Sequence, residues 1–142
     1  MVLPPALTKM IVAQEKAAGA VEIFGAKGPV FSTAIIAGVM AAKKTSDLIP
    51  FCHPVALEDC KIVIDIKKHN DATTEVGYTE LTIDCSVKTT HKTGVEMEAM
   101  VGATNAALCI YDMLKAVSHD IQIKDIKLMA KSGGKSTFIR PE

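Results

Sequence analysis

The sequence has no tryptophan and only two tyrosines and four phenylalanines among its 142 residues. So few flat rings exclude the stacking platforms of a single-strand nucleic-acid binder. Net charge is also missing: 16 Lys and Arg stand against 16 Asp and Glu. No general field therefore draws the chain to nucleic acid or to an anionic membrane. No apolar run reaches the roughly 18 residues of a membrane span. The richest window, 95–114, is broken by Glu96, Glu98, Asn105 and Asp112. No basic-then-apolar leader with a cleavage site opens the chain, which carries Pro4 and Pro5, so the expected compartment is the cytoplasm. With no repeat, low-complexity stretch or Pro/Gly-rich linker, one domain over 1–142 is expected, with flexible ends at about 1–8 and 132–142.

What is present is apolar. Hydrophobic residues make up 49% of the chain, and with zero net charge this favours self-association. Three of the four cysteines, Cys60, Cys85 and Cys109, fall on apolar-periodic positions and read as small core residues. Cys52 and His53 are adjacent but have no second pair at metal-ligand spacing. No metal and no cofactor are expected.

Residues 13–24 suggest a short helix, and Lys27-Gly28-Pro29 a turn. A helix capped by Ser32 or Thr33 should run to about Lys44. Asp47 to Pro54 holds two prolines and reads as a loop. Over 57–67 the pattern alternates, with Cys60, Ile62, Ile64 and Ile66 on one face, which predicts a half-buried strand. After a turn at His69-Asn70-Asp71, Leu81, Ile83, Cys85 and Val87 predict a second strand, antiparallel to the first. From Val95 to His119 the period becomes helical, with a stripe rich in Ala and Gly. A last strand is expected over Ile121 to Leu128. The order predicts an α+β fold, an antiparallel sheet with two long helices on one face. It becomes ferredoxin-like if a strand precedes the first long helix.

Several polar groups stand out. Lys88, His91 and Lys92 precede Glu96 and Glu98. This is either favourable placement of acids in a first helical turn or a basic loop feeding a carboxylate pair. Asp112 and Lys115, three apart in an apolar setting, either pair on the surface or face an enclosed pocket. Fourteen residues separate Glu98 from Asp112, or ~21 Å along one helix at ~1.5 Å per residue. They cannot meet one small reacting centre within a chain. Either one set is functional or a second subunit completes the site. The tail Lys131 to Thr137, KSGGKST, ends like a P-loop, but position 129 is Met and no helix has room to follow. A nucleotide-binding P-loop is excluded. Two glycines beside Lys131 and Lys135 leave a backbone cradle for phosphate oxygens or a disordered basic tail.

Four segments then carry a resemblance: IAGVMAAKKTSDLIPFCHP (36–54), KTGVEMEAM (92–100), IYDMLKAV (110–117) and MAKSGGKS (129–136). In this order they resemble the cyclic pyranopterin monophosphate synthase family, the molybdenum cofactor biosynthesis protein C family, over about residues 27–136. The resemblance implies conversion of (8S)-3′,8-cyclo-7,8-dihydroguanosine 5′-triphosphate to cyclic pyranopterin monophosphate and diphosphate, a lyase reaction. It also implies a ferredoxin-like subunit in a homohexamer, a trimer of dimers with active sites at the dimer interface.

By the same resemblance Asp112, Lys115 and Lys27 are catalytic, while His53, Glu96, Met97, Glu98, Lys131 and Lys135 bind substrate. Lysines and His53 would hold phosphates, and Glu96 and Glu98 would accept hydrogen bonds from the guanine-derived ring. Lys115, positioned by Asp112, would move protons, a task helped by burial that draws its pKa towards neutrality. Two positions depart from the family pattern: Pro29 stands where Asp is frequent, and Ile35 where Arg is frequent. A catalytically silent scaffold is the competing class, but a scaffold has no need of this polar set. A metal-dependent phosphatase would want clustered acidic ligands instead.

Overall fold

In the computed structural model, residues 1–18, 22–69 and 77–141 are described. The sheet is built from three strands in the order β1-β5-β4, all antiparallel: β1 (Val2–Leu3), β4 (Asp59–His69) and β5 (Tyr78–Lys88). Ile62 lies opposite Cys85, Ile64 opposite Ile83 and Ile66 opposite Leu81. These are the apolar positions of the two alternating patterns, so the register follows from keeping every branched side chain on the covered face. Burying each such Ile or Leu stabilises the fold by roughly 1.5–3 kcal/mol.

Helices α2 (Val30–Lys43) and α4 (Glu96–Leu114) cover that face. They cross closely because Gly38 and Gly102 meet: a Cβ on Gly38 would sit 2.7 Å from the Gly102 carbonyl oxygen, and one on Gly102 would sit 2.8 Å from the Cys85 sulfur. Asn105 ties the pair further by donating to the Ala37 carbonyl at 2.9 Å. Cys85 and Cys109 pack against the core, and burial pushes the Cys85 thiol up to about 12. Among the described residues no helix is long and apolar enough to cross a membrane.

The structure departs from the sequence expectations at several element boundaries. The first helix, α1, spans Pro5–Ala18 rather than 13–24, of which 19–21 lie outside the described residues. Pro5 suits a first helical turn, where an N–H is not needed, and Leu7 and Ile11 are fully buried one turn apart. Residues 1–8, expected as a flexible end, are placed in β1 and the start of α1. Helix α2 begins at Val30, so neither Ser32 nor Thr33 caps it; its N-cap is Pro29, which makes no side-chain cap bond. Helix α4 stops at Leu114 instead of His119, leaving Lys115 just beyond its last turn.

Finally, the strand expected over 121–128 is reduced to a bridge. Gln122 exchanges hydrogen bonds with Val2 at 2.8 and 3.0 Å, and Ile121 is buried. Asp125 then takes a left-handed φ of 53°, which ends any extended run. Asn70 and Asp71 of the expected turn lie outside the described residues. The loop 47–54 contains one turn of helix, α3 (Thr45–Leu48), at its start. In the tail, where a flexible end over 132–142 is expected, β6 (Ala130–Lys131) and β7 (Phe138–Ile139) pair as a hairpin; 142 lies outside the described residues.

The α2–α4 contact is tested by Gly38→Ala. Helix propensity alone would favour alanine by about 1 kcal/mol. The crowded site should reverse this sign, with a net loss of about 1–3 kcal/mol in urea unfolding.

Candidate active site

Lys27 owes its position to a small hairpin. Strands β2 (Phe24–Gly25) and β3 (Gly28–Pro29) pair antiparallel, with Ala26 and Lys27 at the tip. Gly28 has φ 108°, a conformation that a side chain would strain. Two side chains fix the hairpin. Gln14 of α1 accepts from the Phe24 N–H at 2.6 Å and donates to its carbonyl at 2.9 Å, as a neighbouring strand would. Glu22 accepts from the N–H groups of Ile23, Phe31 and Ser32 at 2.9, 2.8 and 2.9 Å, and from the Ser32 hydroxyl at 2.5 Å.

The first N–H groups of α2, which Pro29 cannot serve, are thus capped by a carboxylate eight residues before the helix. Burial alone would raise the Glu22 pKa, but the bonds from Ser32, Phe31 and Ile23 together hold it below the usual range.

From the hairpin tip Lys27 reaches the far end of α4. Its Nζ donates to Asp112 Oδ2 at 2.5 Å and to the Asp112 carbonyl at 3.3 Å. Lys115 Nζ takes the other oxygen, Oδ1, at 2.8 Å. Asp112 is held down to about 2 by hydrogen bonds from Lys115 and Lys27. The hydrogen bond that Lys115 donates to Asp112 in turn raises the Lys115 pKa, with the side chain 48% exposed. The burial expected to draw Lys115 towards neutrality is not supplied by this chain, and its pKa moves the other way.

A second cluster lies at the start of α4. Lys131 Nζ donates to Glu96 Oε1 at 2.9 Å, and this bond leads the lowering of the Glu96 pKa. Glu98, two residues further along the helix, is only 5% exposed and lines a cleft of about 250 Å³. Lys43, Thr45, Ser46, Pro54 and Ala56 form its other walls. His53 is exposed on the loop beside Pro54, and Met97 is half-buried in the first turn of α4. Lys135 is exposed between β6 and β7, after Gly133 and Gly134 with φ 80° and 70°.

The structure therefore brings Lys27, Asp112 and Lys115 together, and Lys131 with Glu96, but keeps the two groups at opposite ends of one helix. Sequence reasoning passed over Gln14, Glu22 and the cleft walls Lys43, Thr45 and Ser46. The last three stand inside the AAKKTSDLIP segment, whose dense polar run was the available signal. Gln14 and Glu22 had none, because they act through the fold.

A family model described as the MoaC family matches residues 6–134. Over 116 residues the chain is 54% identical to "Molybdenum cofactor biosynthesis protein 1" of Dictyostelium discoideum, covering 82% of this chain and 17% of that protein. It is 48% identical over 134 residues to "Molybdenum cofactor biosynthesis bifunctional protein" of Synechocystis, covering 94% of this chain and 35% of the relative. A protein named cyclic pyranopterin monophosphate synthase from Xanthomonas campestris pv. campestris is 46% identical over 125 residues, 88% of this chain and 68% of its own length.

Replacing Glu22 by Gln tests the remote cap. The loss at neutral pH should be about 1–2 kcal/mol, as for other caps. Because folding lowers the Glu22 pKa, its stabilisation is present above the unfolded value and fades as pH falls through the folded one. The difference between parent and variant melting temperatures should shrink below about pH 4.

Proposed function

The chain belongs to the MoaC family, and from that premise we propose that it is a cyclic pyranopterin monophosphate synthase. Its substrate is (8S)-3′,8-cyclo-7,8-dihydroguanosine 5′-triphosphate, and its products are cyclic pyranopterin monophosphate and diphosphate. The reaction is a diphosphate-releasing cyclisation of the phosphorus–oxygen lyase type, performed in the cytoplasm with no cofactor. The ferredoxin-like arrangement belongs to the same reading. It is supported by the strand order, by the bridge from Gln122 to the free side of β1, and by two helices on one face.

The observation that carries the proposal is the division of polar groups between the ends of α4. Lys27, Asp112 and Lys115 gather at one end, and Glu96, Glu98 and Lys131 at the other. A polyanion larger than either cluster needs both, and a second copy supplies the missing half across a two-fold axis. The active unit is a dimer within a homohexamer, a trimer of dimers. The exposed apolar side chains Ile36, Met40 and Leu108 support an assembled state.

In the shared site Lys27, Lys131, Lys135 and His53 hold the triphosphate. Glu96, Glu98 and Met97 receive the guanine-derived ring, the carboxylates accepting from its N–H groups. Bonded to Asp112, Lys115 is held charged and keeps its proton more firmly than a free lysine, so giving it to the opening ring needs that hold to weaken. Covering by the second copy desolvates it and draws its pKa back towards neutrality, so that it can also accept a proton. In the last step a ribose-derived hydroxyl attacks the α-phosphorus and diphosphate leaves, with the lysines stabilising the developing charge.

The protein incubated with the cyclised triphosphate should form the pyranopterin and diphosphate in equal amounts. Lys115→Ala should lose about 10²–10⁴-fold in rate. A parent protein that turns over no substrate overturns the enzyme reading, and full turnover by the variant overturns the role of Lys115.

A further inference from the structure

Strands β2 and β3 are two residues each, and a hairpin that short is marginal by itself in water. Lys27 at its tip nevertheless sets Nζ 2.5 Å from Asp112 Oδ2. The hairpin's own ladder does not supply that precision. Val30 N–H donates to the Ile23 carbonyl at 2.9 Å, so 23 and 30 form a bonded pair. The next pair, Phe24 opposite Pro29, therefore turns the N–H and C=O of Phe24 outward. Among the described residues no strand lies on that side of β2. The Phe24 ring gives little grip either, at 59% exposed.

Both outward groups of Phe24 are met by one side chain, the Gln14 amide. Leu7, Ile11 and Gln14 recur at helical spacing along α1, and the first two are fully buried. A buried bond of 2.9 Å between the hydroxyls of Thr8 and Thr79 fixes how α1 sits on β5. A third apolar residue would continue the buried stripe, yet an amide stands where β2 passes. The next residue of β2, Gly25, rests on the end of α4: a Cβ there would sit 3.2 Å from the carbonyl oxygen of Met113, the neighbour of Asp112. The strand leading into Lys27 is thus held by an amide from α1 and by the last turn of α4.

We propose that Gln14 is a positioning residue of the reaction: by bonding β2 as a neighbouring strand would, it sets the reach of Lys27 to Asp112. It acts through Phe24, Gly25 and Lys27, not at the reacting atoms. The inference rests on the reaction proposed above for Lys27, Asp112 and Lys115, and adds to it a residue from α1. Gln14 is only half-buried and both bonds run to the hairpin, so losing the amide leaves the core packing as it is.

Gln14→Met keeps the length and helix propensity of the side chain and removes both bonds. With the cyclised triphosphate, kcat/KM should fall about 10–100-fold, the scale of a small misplacement, while the melting temperature stays near the parent's. In a Lys27→Met background the same substitution should change kcat/KM by less than about twofold, since the group it positions is gone. Amine labelling of the full chain with peptide mapping reads the geometry without turnover. Lys27 should label several-fold faster in Gln14→Met, with Lys9, exposed on α1, unchanged. Parent-like kcat/KM in Gln14→Met, unchanged Lys27 labelling, or a loss equally large without Lys27 would each overturn the proposal. A parent that forms no product overturns the reaction itself, and labelling alone then decides whether Gln14 sets Lys27.

Discussion

Everything placed around the candidate site rests on how closely α2 and α4 approach each other. Gly38 and Gly102 let two backbones touch where ordinary side chains would hold the axes 8–10 Å apart. The same contact seats both helices on Ile62 and Cys85, a facing pair of β4 and β5. With α2 fixed against α4, the hairpin that starts α2 must lie beside the end of α4, and Lys27 falls within reach of Asp112. The loop that follows α2 must lie beside the start of α4, which closes the cleft over Glu98. Two antiparallel helices in tight contact thus dictate two sites at opposite ends, and neither can slide without the other.

The sheet and the long helix were legible because their periods are clean. Ile62, Ile64 and Ile66 alternate, and so do Leu81, Ile83 and Cys85, so the strands and their covered face could be written down in advance. Helix α1 starts well before the expected 13–24 because Pro5 is compatible with a first turn and Leu7 and Ile11 give it a buried face. The last strand failed because apolar spacing over 121–128 says nothing about φ at Asp125. Of the candidate site, the residue types and the separation along α4 could be read from motifs and helix arithmetic. The ion pairs joining Lys27 to Asp112 and Lys131 to Glu96 could not, since they link residues 85 and 35 positions apart.

Charge follows a similar logic. A chain with 16 positive and 16 negative groups has no long-range field, yet its lysines are not spread at random. Each cluster holds carboxylate and ammonium groups in contact, so the charges neutralise one another locally. Such pairs, half exposed, add little to stability. They do keep long, flexible side chains aimed in one direction.

The cap supplied by Glu22 links two segments that local structure would leave separate. Its carboxylate is shared by the hairpin stem at Ile23 and the first turn of α2 at Phe31 and Ser32. When that carboxylate lets go, both lose their anchor at once. In amide hydrogen exchange, residues 22–32 should therefore behave as one cooperative opening unit, with a common free energy, instead of a fraying helix end beside an independent loop.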